Sequence, residues 1–352
     1  MIMTRKTAFL SSLTAALSLI TSSSIVAVVQ AADRPVIGIF TRLDAATDEH
    51  YIAASYVKWL ESAGARSIPI HADTTNETEL KDLFQQINGI LFPGGGDNTN
   101  LDAARIMWDM AKDRNSSGED YFPIWGTCLG FEWLLQLTSD AGADVLQSGF
   151  EAEDVSMALE FTHFGIEESN MFARSDVRDV AASERVAYNH HHQGIEPRFF
   201  LADKGLVDMF AISSVNLDLN GRPFVSSIEA RDGKFPYYGV QWHPEKNNFE
   251  FGTKAGTDEP LEAGINHSRD AVMLSEEMAN VFVSEARRSA HLYTEVERFP
   301  LVWAYENKPG VMFEQVFIIP SLREEAAAAT VEVSSERKGL RGSNDASVTA
   351  LV

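Results

Sequence analysis

Cysteine occurs once in this chain, at Cys128, inside Phe122-Pro-Ile-Trp-Gly-Thr-Cys128-Leu-Gly-Phe-Glu132. The apolar run Phe122–Trp125 reads as a strand. It ends in Gly126-x-Cys128-x-Gly130, and a helix-like stretch with Phe131, Trp133, Leu134, Leu135 and Leu137 follows. A strand, a sharp turn and a helix with a thiol at the tip is a nucleophile elbow. Glycines two residues to either side relieve the crowding where strand and helix meet, and the amide after the thiol, that of Leu129, is left to hold an oxyanion. A buried cysteine acting as a small hydrophobe would leave this turn chemistry unexplained.

Two further segments complete a candidate site. Tyr237–Trp242 reads as a strand leading into His243-Pro-Glu245. Residues two apart on an extended chain point the same way, so Glu245 is placed to orient His243 and His243 to take the thiol proton. Leu91-Phe-Pro-Gly94-Gly95-Gly96-Asp97 ends another apolar strand, and its backbone amides, with Gly95 at the centre, suit a second oxyanion donor.

Strand and helix signals alternate along the first half. Strands are expected at Pro35–Thr41, Arg66–Ile70 and Ile87–Phe92, with helices at Tyr51–Ser62, Glu77–Gln86 and Leu101–Asp113. Repeated βα units with short apolar strands imply an α/β three-layer sandwich, a mostly parallel central sheet with helices on both faces. Sites in such folds lie at the carboxyl ends of strands, where all three segments fall. Further on, Phe210–Ser214 and Phe224–Glu229 read as strands joined by Asn220-Gly221, Ser268–Ser289 as an amphipathic helix, and Val311–Ile319 as a last strand. No repeat or linker divides the chain, so one catalytic domain is expected over residues 32–320, with a loose tail over 321–352.

Gly126-Thr-Cys128-Leu-Gly130, Gln241-Trp-His243-Pro-Glu245-Lys246-Asn247 and Pro93-Gly-Gly-Gly96 resemble the class I glutamine-amidotransferase fold. The closer resemblance is to the gamma-glutamyl hydrolases, which trim folate polyglutamates. It is carried by Tyr51-Ile-Ala-Ala-Ser-Tyr-Val-Lys58, Leu60-Glu-Ser-Ala-Gly-Ala65, Ile87-Asn-Gly-Ile-Leu-Phe-Pro93, Tyr121–Glu132 and Tyr238–Lys246. It runs from about Arg34 to about Ile319 and is loose between Ala141 and Arg231. The resemblance implies Cys128 as nucleophile, His243 as general acid and base, and a pocket-lining histidine for which His191 is the best match.

The chemistry then expected is thiolate attack on a γ-glutamyl carbonyl, passing through a thioester, with no cofactor and no metal. A thiolate beside His243 and at a helix start is expected to have a lowered pKa. Each γ-linked glutamate carries an α-carboxylate, so Arg42, at the end of the first strand, and Lys246, after Glu245, join His191 as candidate substrate-binding residues. Glu132 reads as a helix-start acid facing the dipole. Consecutive histidines at 190–192 cannot all face one ion, and no cysteine or acidic cluster at ligand spacing accompanies them. Two rival readings remain on sequence grounds: a glutaminase feeding ammonia to a synthase, and a non-catalytic secreted binding protein on the same fold.

Composition bounds the partners. A 45% hydrophobic fraction supports a sizeable core, and a net charge of −22 disfavours nucleic acid and anionic membrane surfaces. A small poly-γ-glutamyl molecule, a folylpolyglutamate for instance, is the expected partner; the oligomer, a homodimer included, is left open. Arg5 and Lys6 followed by the apolar Ala8–Val29 and the small residues up to Ala31 read as a signal peptide over residues 1–31, with no stable membrane insertion after cleavage. This implies the secretory pathway and an extracellular or vacuolar/lysosomal destination. Sequons at Asn76, Asn115 and Asn266 fall in polar, loop-like surroundings and are candidate glycosylation sites.

Overall fold

The computed structural model describes residues 32–44, 47, 49–96 and 101–321. The expected signal segment and the tail from residue 322 lie outside them. The order opens β1 (Val36–Phe40), β2 (Arg42–Asp44), β3 (Glu49–Ala53), α1 (Ala54–Ser62), β4 (Arg66–Ile70), α2 (Glu77–Phe84) and β5 (Gly89–Phe92). It continues with α3 (Asp102–Ser117), β6 (Ile124–Thr127), α4 (Leu129–Thr138), β7 (Gln147–Met157), β8 (Glu160–Phe161), α5 (His163–Glu167), α6 (Ser175–Ser183) and β9 (Ala187–Gly194). Then come α7 (Pro197–Ala202), α8 (Lys204–Met209), β10 (Phe210–Leu217), β11 (Pro223–Ala230), β12 (Tyr237–Val240), α9 (Lys246–Phe249), α10 (Arg269–Ala286), β13 (Glu306–Pro309) and β14 (Gln315–Ile319).

The main sheet runs β4-β1-β5-β6-β12-β11-β10-β8. Its first five strands are parallel, and the last three are added antiparallel. Two apolar clusters cover its faces. One joins the sheet to α2, α3 and α4 through Leu80, Phe84, Met107, Trp108 and Leu134. The other joins it to α1, α6 and α10 through Tyr56, Leu60, Val177, Met278 and Phe282. This is the expected three-layer α/β sandwich. Among the described residues no helix is long and apolar enough to cross a membrane.

Several boundaries differ from the sequence reading. Tyr51, Ile52 and Ala53 do not begin a helix. They end β3, which pairs antiparallel with β14 at Phe317↔Ile52 and with β2 at Arg42↔Tyr51. These partners lie far along the chain or across a turn, so local periodicity does not reveal them. The helix expected to stop at Asp113 runs on to Ser117, where Gly118 (φ 71°) closes it. Consequently Asn115 lies inside α3 and is buried. Its Nδ2 donates to Phe122 O (2.8 Å) and to the Tyr237 hydroxyl (3.1 Å), and its Oδ1 accepts from Phe122 N–H. The expectation of a glycan at Asn115 is therefore wrong, because its amide knots α3 to the segment leading into β6 and to Tyr237 of β12. Asn76 is exposed as the N-cap of α2, and Asn266 spends its Nδ2 on Arg185 O (2.7 Å).

Candidate active site

Register brings the three segments together. β6 lies between β5 and β12, with Phe92↔Gly126 and Val240↔Thr127 paired. The chains leaving β5, β6 and β12 therefore emerge side by side, carrying Gly94, Cys128 and His243. A Cβ built on Gly94 would stand 2.8 Å from His243 Cε1 and 3.3 Å from Cys128 Cβ.

Cys128 adopts φ 52°, ψ −108°, a conformation rare for a residue with a side chain. Its amide donates to Val240 O (2.8 Å), and its carbonyl accepts from Glu132 N–H (3.0 Å), which fixes the turn from both sides. The flanking glycines are required by contact. A Cβ on Gly126 would lie 2.4 Å from Gly130 O, and one on Gly130 would lie 2.0 Å from Phe92 O. In the resting arrangement the thiol faces His190 O at 3.8 Å.

His243 and Glu245 pair as expected, Nδ1 to Oε1 at 2.8 Å, with both residues buried. The reason differs from the sequence argument. β12 ends at Val240, and the pair sits in a turn rather than on extended chain. His243 N–H donates to Tyr188 O (2.8 Å), which holds that turn against β9. Tyr56, within the helix expected over Tyr51–Ser62 and not singled out by the sequence, has its hydroxyl on Gly94 N–H (2.7 Å) and stands beside Glu245. Burial first, and the Glu245 charge second, raise its pKa, so it remains a neutral hydroxyl that holds the glycine loop beside the carboxylate.

Cys128, Leu129, Gly95, Gly96, His191 and His243 line one cavity of ≈ 370 Å³, together with Glu132, Glu262, Lys246, Met312 and Phe313. Glu132 is a cavity residue and not simply a helix-start acid: it is buried and accepts from Gln241 Nε2 at 3.1 Å. Burial pushes the Cys128 thiol well up, and the nearby Glu132 carboxylate adds to this; the Lys246 charge and the Leu129 amide act downward without offsetting it. The expected depression of this thiol therefore does not occur in the resting protein.

The candidate substrate cations are otherwise occupied. Arg42 is buried behind the cavity, donates through Nη2 to Gly96 O and lies over the Trp133 ring at 5.6 Å. It braces the glycine loop and does not line the cavity, which corrects its assignment as a substrate-binding residue. Lys246 does line the cavity, but its Nζ sits 2.5 and 2.6 Å from the two Glu262 oxygens. Glu262 falls 16 residues downstream in an irregular segment, and nothing in the local sequence marks it as a partner. Although burial acts upward on Glu262, the His190 hydrogen bond and the Lys246 charge hold its carboxyl down to about 2.

Strand alternation on β9 separates the three histidines. His190 and His192 both face Glu153, and His190 Nδ1 also meets Glu262 at 3.2 Å. His191 is buried against Phe224 (4.8 Å between centroids), its Nδ1 on Gln193 O at 2.8 Å and its Nε2 without a hydrogen-bond partner. Burial lowers its pKa to about 3, so it stays neutral in mildly acidic surroundings.

A thiol on a strained elbow, with an oriented imidazole and backbone amides at the carboxyl edge of an α/β sheet, makes the fold and site of a cysteine hydrolase. The Peptidase C26 family model matches residues 35–245. Gamma-glutamyl hydrolase B of Dictyostelium discoideum is 35% identical over 295 residues, covering 81% of each chain. The gamma-glutamyl hydrolases of Mus musculus and Homo sapiens are 37% and 36% identical, each over 79% of this chain and over 85% and 86% of their own. Among solved structures, the acivicin-bound glutaminase domain of Trypanosoma brucei CTPS aligns at 15% identity with a TM-score of 0.47, over 75% of this chain and 99% of that one. The chain belongs to the Peptidase C26 family and, within it, to the gamma-glutamyl hydrolases.

Proposed function

We propose that this chain hydrolyses the γ-glutamyl bonds of folylpoly-γ-glutamates through a thioester on Cys128. The observation that carries the reading is the positive-φ elbow, which holds Cys128 in the cavity beside the His243–Glu245 pair. The sulfur attacks the γ-carbonyl carbon while its proton passes to His243, whose other nitrogen is held by Glu245. The oxyanion is received by the Leu129 amide and the Gly95 segment. His243 then donates the proton to the departing amine as the C–N bond breaks. It next takes a proton from the water that cleaves the thioester, returning Cys128 to its thiol. The raised thiol pKa favours concerted proton removal during attack over a preformed thiolate. Neutral His191 offers Nε2 as an acceptor for a substrate N–H, and Met312 and Phe313 give the mouth an apolar side.

Residues 1–31 act as a cleaved signal in this reading, the mature chain starts near Ala32 in the secretory pathway, and Asn76 is the sequon best placed to carry a glycan. The deciding experiment uses the purified mature protein and its Cys128→Ala variant with a pteroylpolyglutamate, products being resolved by chain length. The variant is expected to bind substrate and not cleave it. Activity within tenfold of the parent, about 1.4 kcal/mol of barrier, overturns the mechanism.

A further inference from the structure

None of His50, His71 and Asp73 lines the cavity, although Tyr51 beside His50 does; the three come together with each other, each offering one ligand atom within 4.8 Å of the others. His50 is a buried residue of β3 in the small sheet; His71 and Asp73 follow β4 of the main sheet. We propose that these three side chains form a binding site for a late first-row divalent cation such as Zn²⁺, clipping the small sheet to the large one.

Geometry carries the proposal. His50 Nε2 stands 3.3 Å from Asp73 Oδ2. Two ligands on a tetrahedral zinc ion, each at roughly 2.0–2.1 Å, are separated by about 3.3 Å. The His50 and His71 rings meet at 5.4 Å between centroids and 70° between planes, so a side-chain adjustment of His71 brings its nitrogen to the third position. Two imidazoles and one carboxylate suit zinc and its neighbours in the first row better than magnesium or calcium, which prefer oxygen.

The supporting groups fit as well. His50 Nδ1 lies 3.2 Å from Thr41 Oγ1, and that same oxygen accepts the N–H of Ala72 at 3.2 Å. With Nδ1–H donating to Thr41, the Nε2 lone pair is turned toward Asp73, the tautomer that metal ligation requires. Ala72 lies between the other two ligands in the chain, so one hydroxyl links His50 to the backbone of the segment that carries them. Asp73 is 56% exposed, which gives the ion a way in and room for a water as fourth ligand.

The test titrates Zn²⁺ calorimetrically into metal-stripped protein carrying Cys128→Ala, which removes the thiol that could itself take zinc beside His243. One equivalent per chain is expected to depend on this cluster, with Tm rising by roughly 5 °C at a hundredfold excess over Kd. Asp73→Asn, at an exposed position that leaves the fold intact, and His71→Ala are each expected to weaken that equivalent at least tenfold and to remove the Tm rise. Absence of saturable binding, or binding and a Tm rise that both substitutions leave unchanged, overturns the site.

Discussion

Lys246 and Glu262 form a two-point ion pair inside the cavity, Nζ lying 2.5 and 2.6 Å from the two carboxylate oxygens, with both side chains under a tenth exposed. Breaking such a pair from one side leaves a buried charge uncompensated, at a cost of about 3–5 kcal/mol. Lys246→Met should therefore lower stability by that order, and Lys246→Met with Glu262→Gln should recover most of it. Chemical denaturation of the two variants measures this. A single variant as stable as the parent would show that the pair is not closed in solution.

Because burial and Glu132 raise the Cys128 thiol, the resting protein should react slowly with iodoacetamide at neutral pH. The rate should keep climbing into alkaline pH, past the range where an exposed thiol has levelled off. Mass-spectrometric labelling rates against pH check this. A plateau reached below pH 7 would mean a preformed thiolate and a stepwise attack.

His243→Ala should lower kcat at least about a hundredfold, the lower end for acid–base catalysis. Glu245→Gln keeps a hydrogen-bond partner on Nδ1 and should cost less. Steady-state kinetics on a diglutamate substrate compares them; greater damage from Glu245→Gln would reverse the assigned roles.

His191 adds a pH dependence to stability. Its folded pKa, about 3, lies below the unfolded value near 6.5. Between these values the unfolded chain binds the extra proton, so this residue's contribution declines as pH falls below about 6.5. At pH 5 the loss is on the order of 2 kcal/mol. His191→Asn should consequently narrow the gap in stability between pH 7 and pH 5. Thermal melts at the two pH values decide it, an unchanged gap placing the acid sensitivity elsewhere.

The site's frame was legible in the linear chain because its chemistry sits in short segments with strict local demands. Gly126 is needed by a contact inside the strand–turn–helix itself, with Gly130 O, and Gly130 by the close approach of Phe92 on the neighbouring strand; the spacing around Cys128 announces the elbow through the first of these. His243 and Glu245 are two residues apart, so their pairing was readable although the turn that creates it was not. The parallel order of the main sheet followed from alternating βα signals with apolar strands.

Other features were decided by tertiary structure alone, because they depend on groups that meet only after the chain has folded. The β7–β9 ladder carrying His190–His192 is rich in acids and histidines and lacks an apolar alternation to mark it. Arg42 and Lys246 were correctly placed near the carboxyl edge of the sheet, but their partners, Gly96 and Glu262, lie 54 and 16 residues away. The thiol's pKa is set by burial and by Glu132 rather than by the helix start, and desolvation is a property of the packed interior. Asn115 looked like a surface sequon until α3 ran on through it and buried its amide against Phe122 and Tyr237. Sequence by itself determined which atoms could react and the turn that presents one of them. The fold decided which charges are neutralised and which protons are held, because those depend on distances between residues that are far apart in the chain.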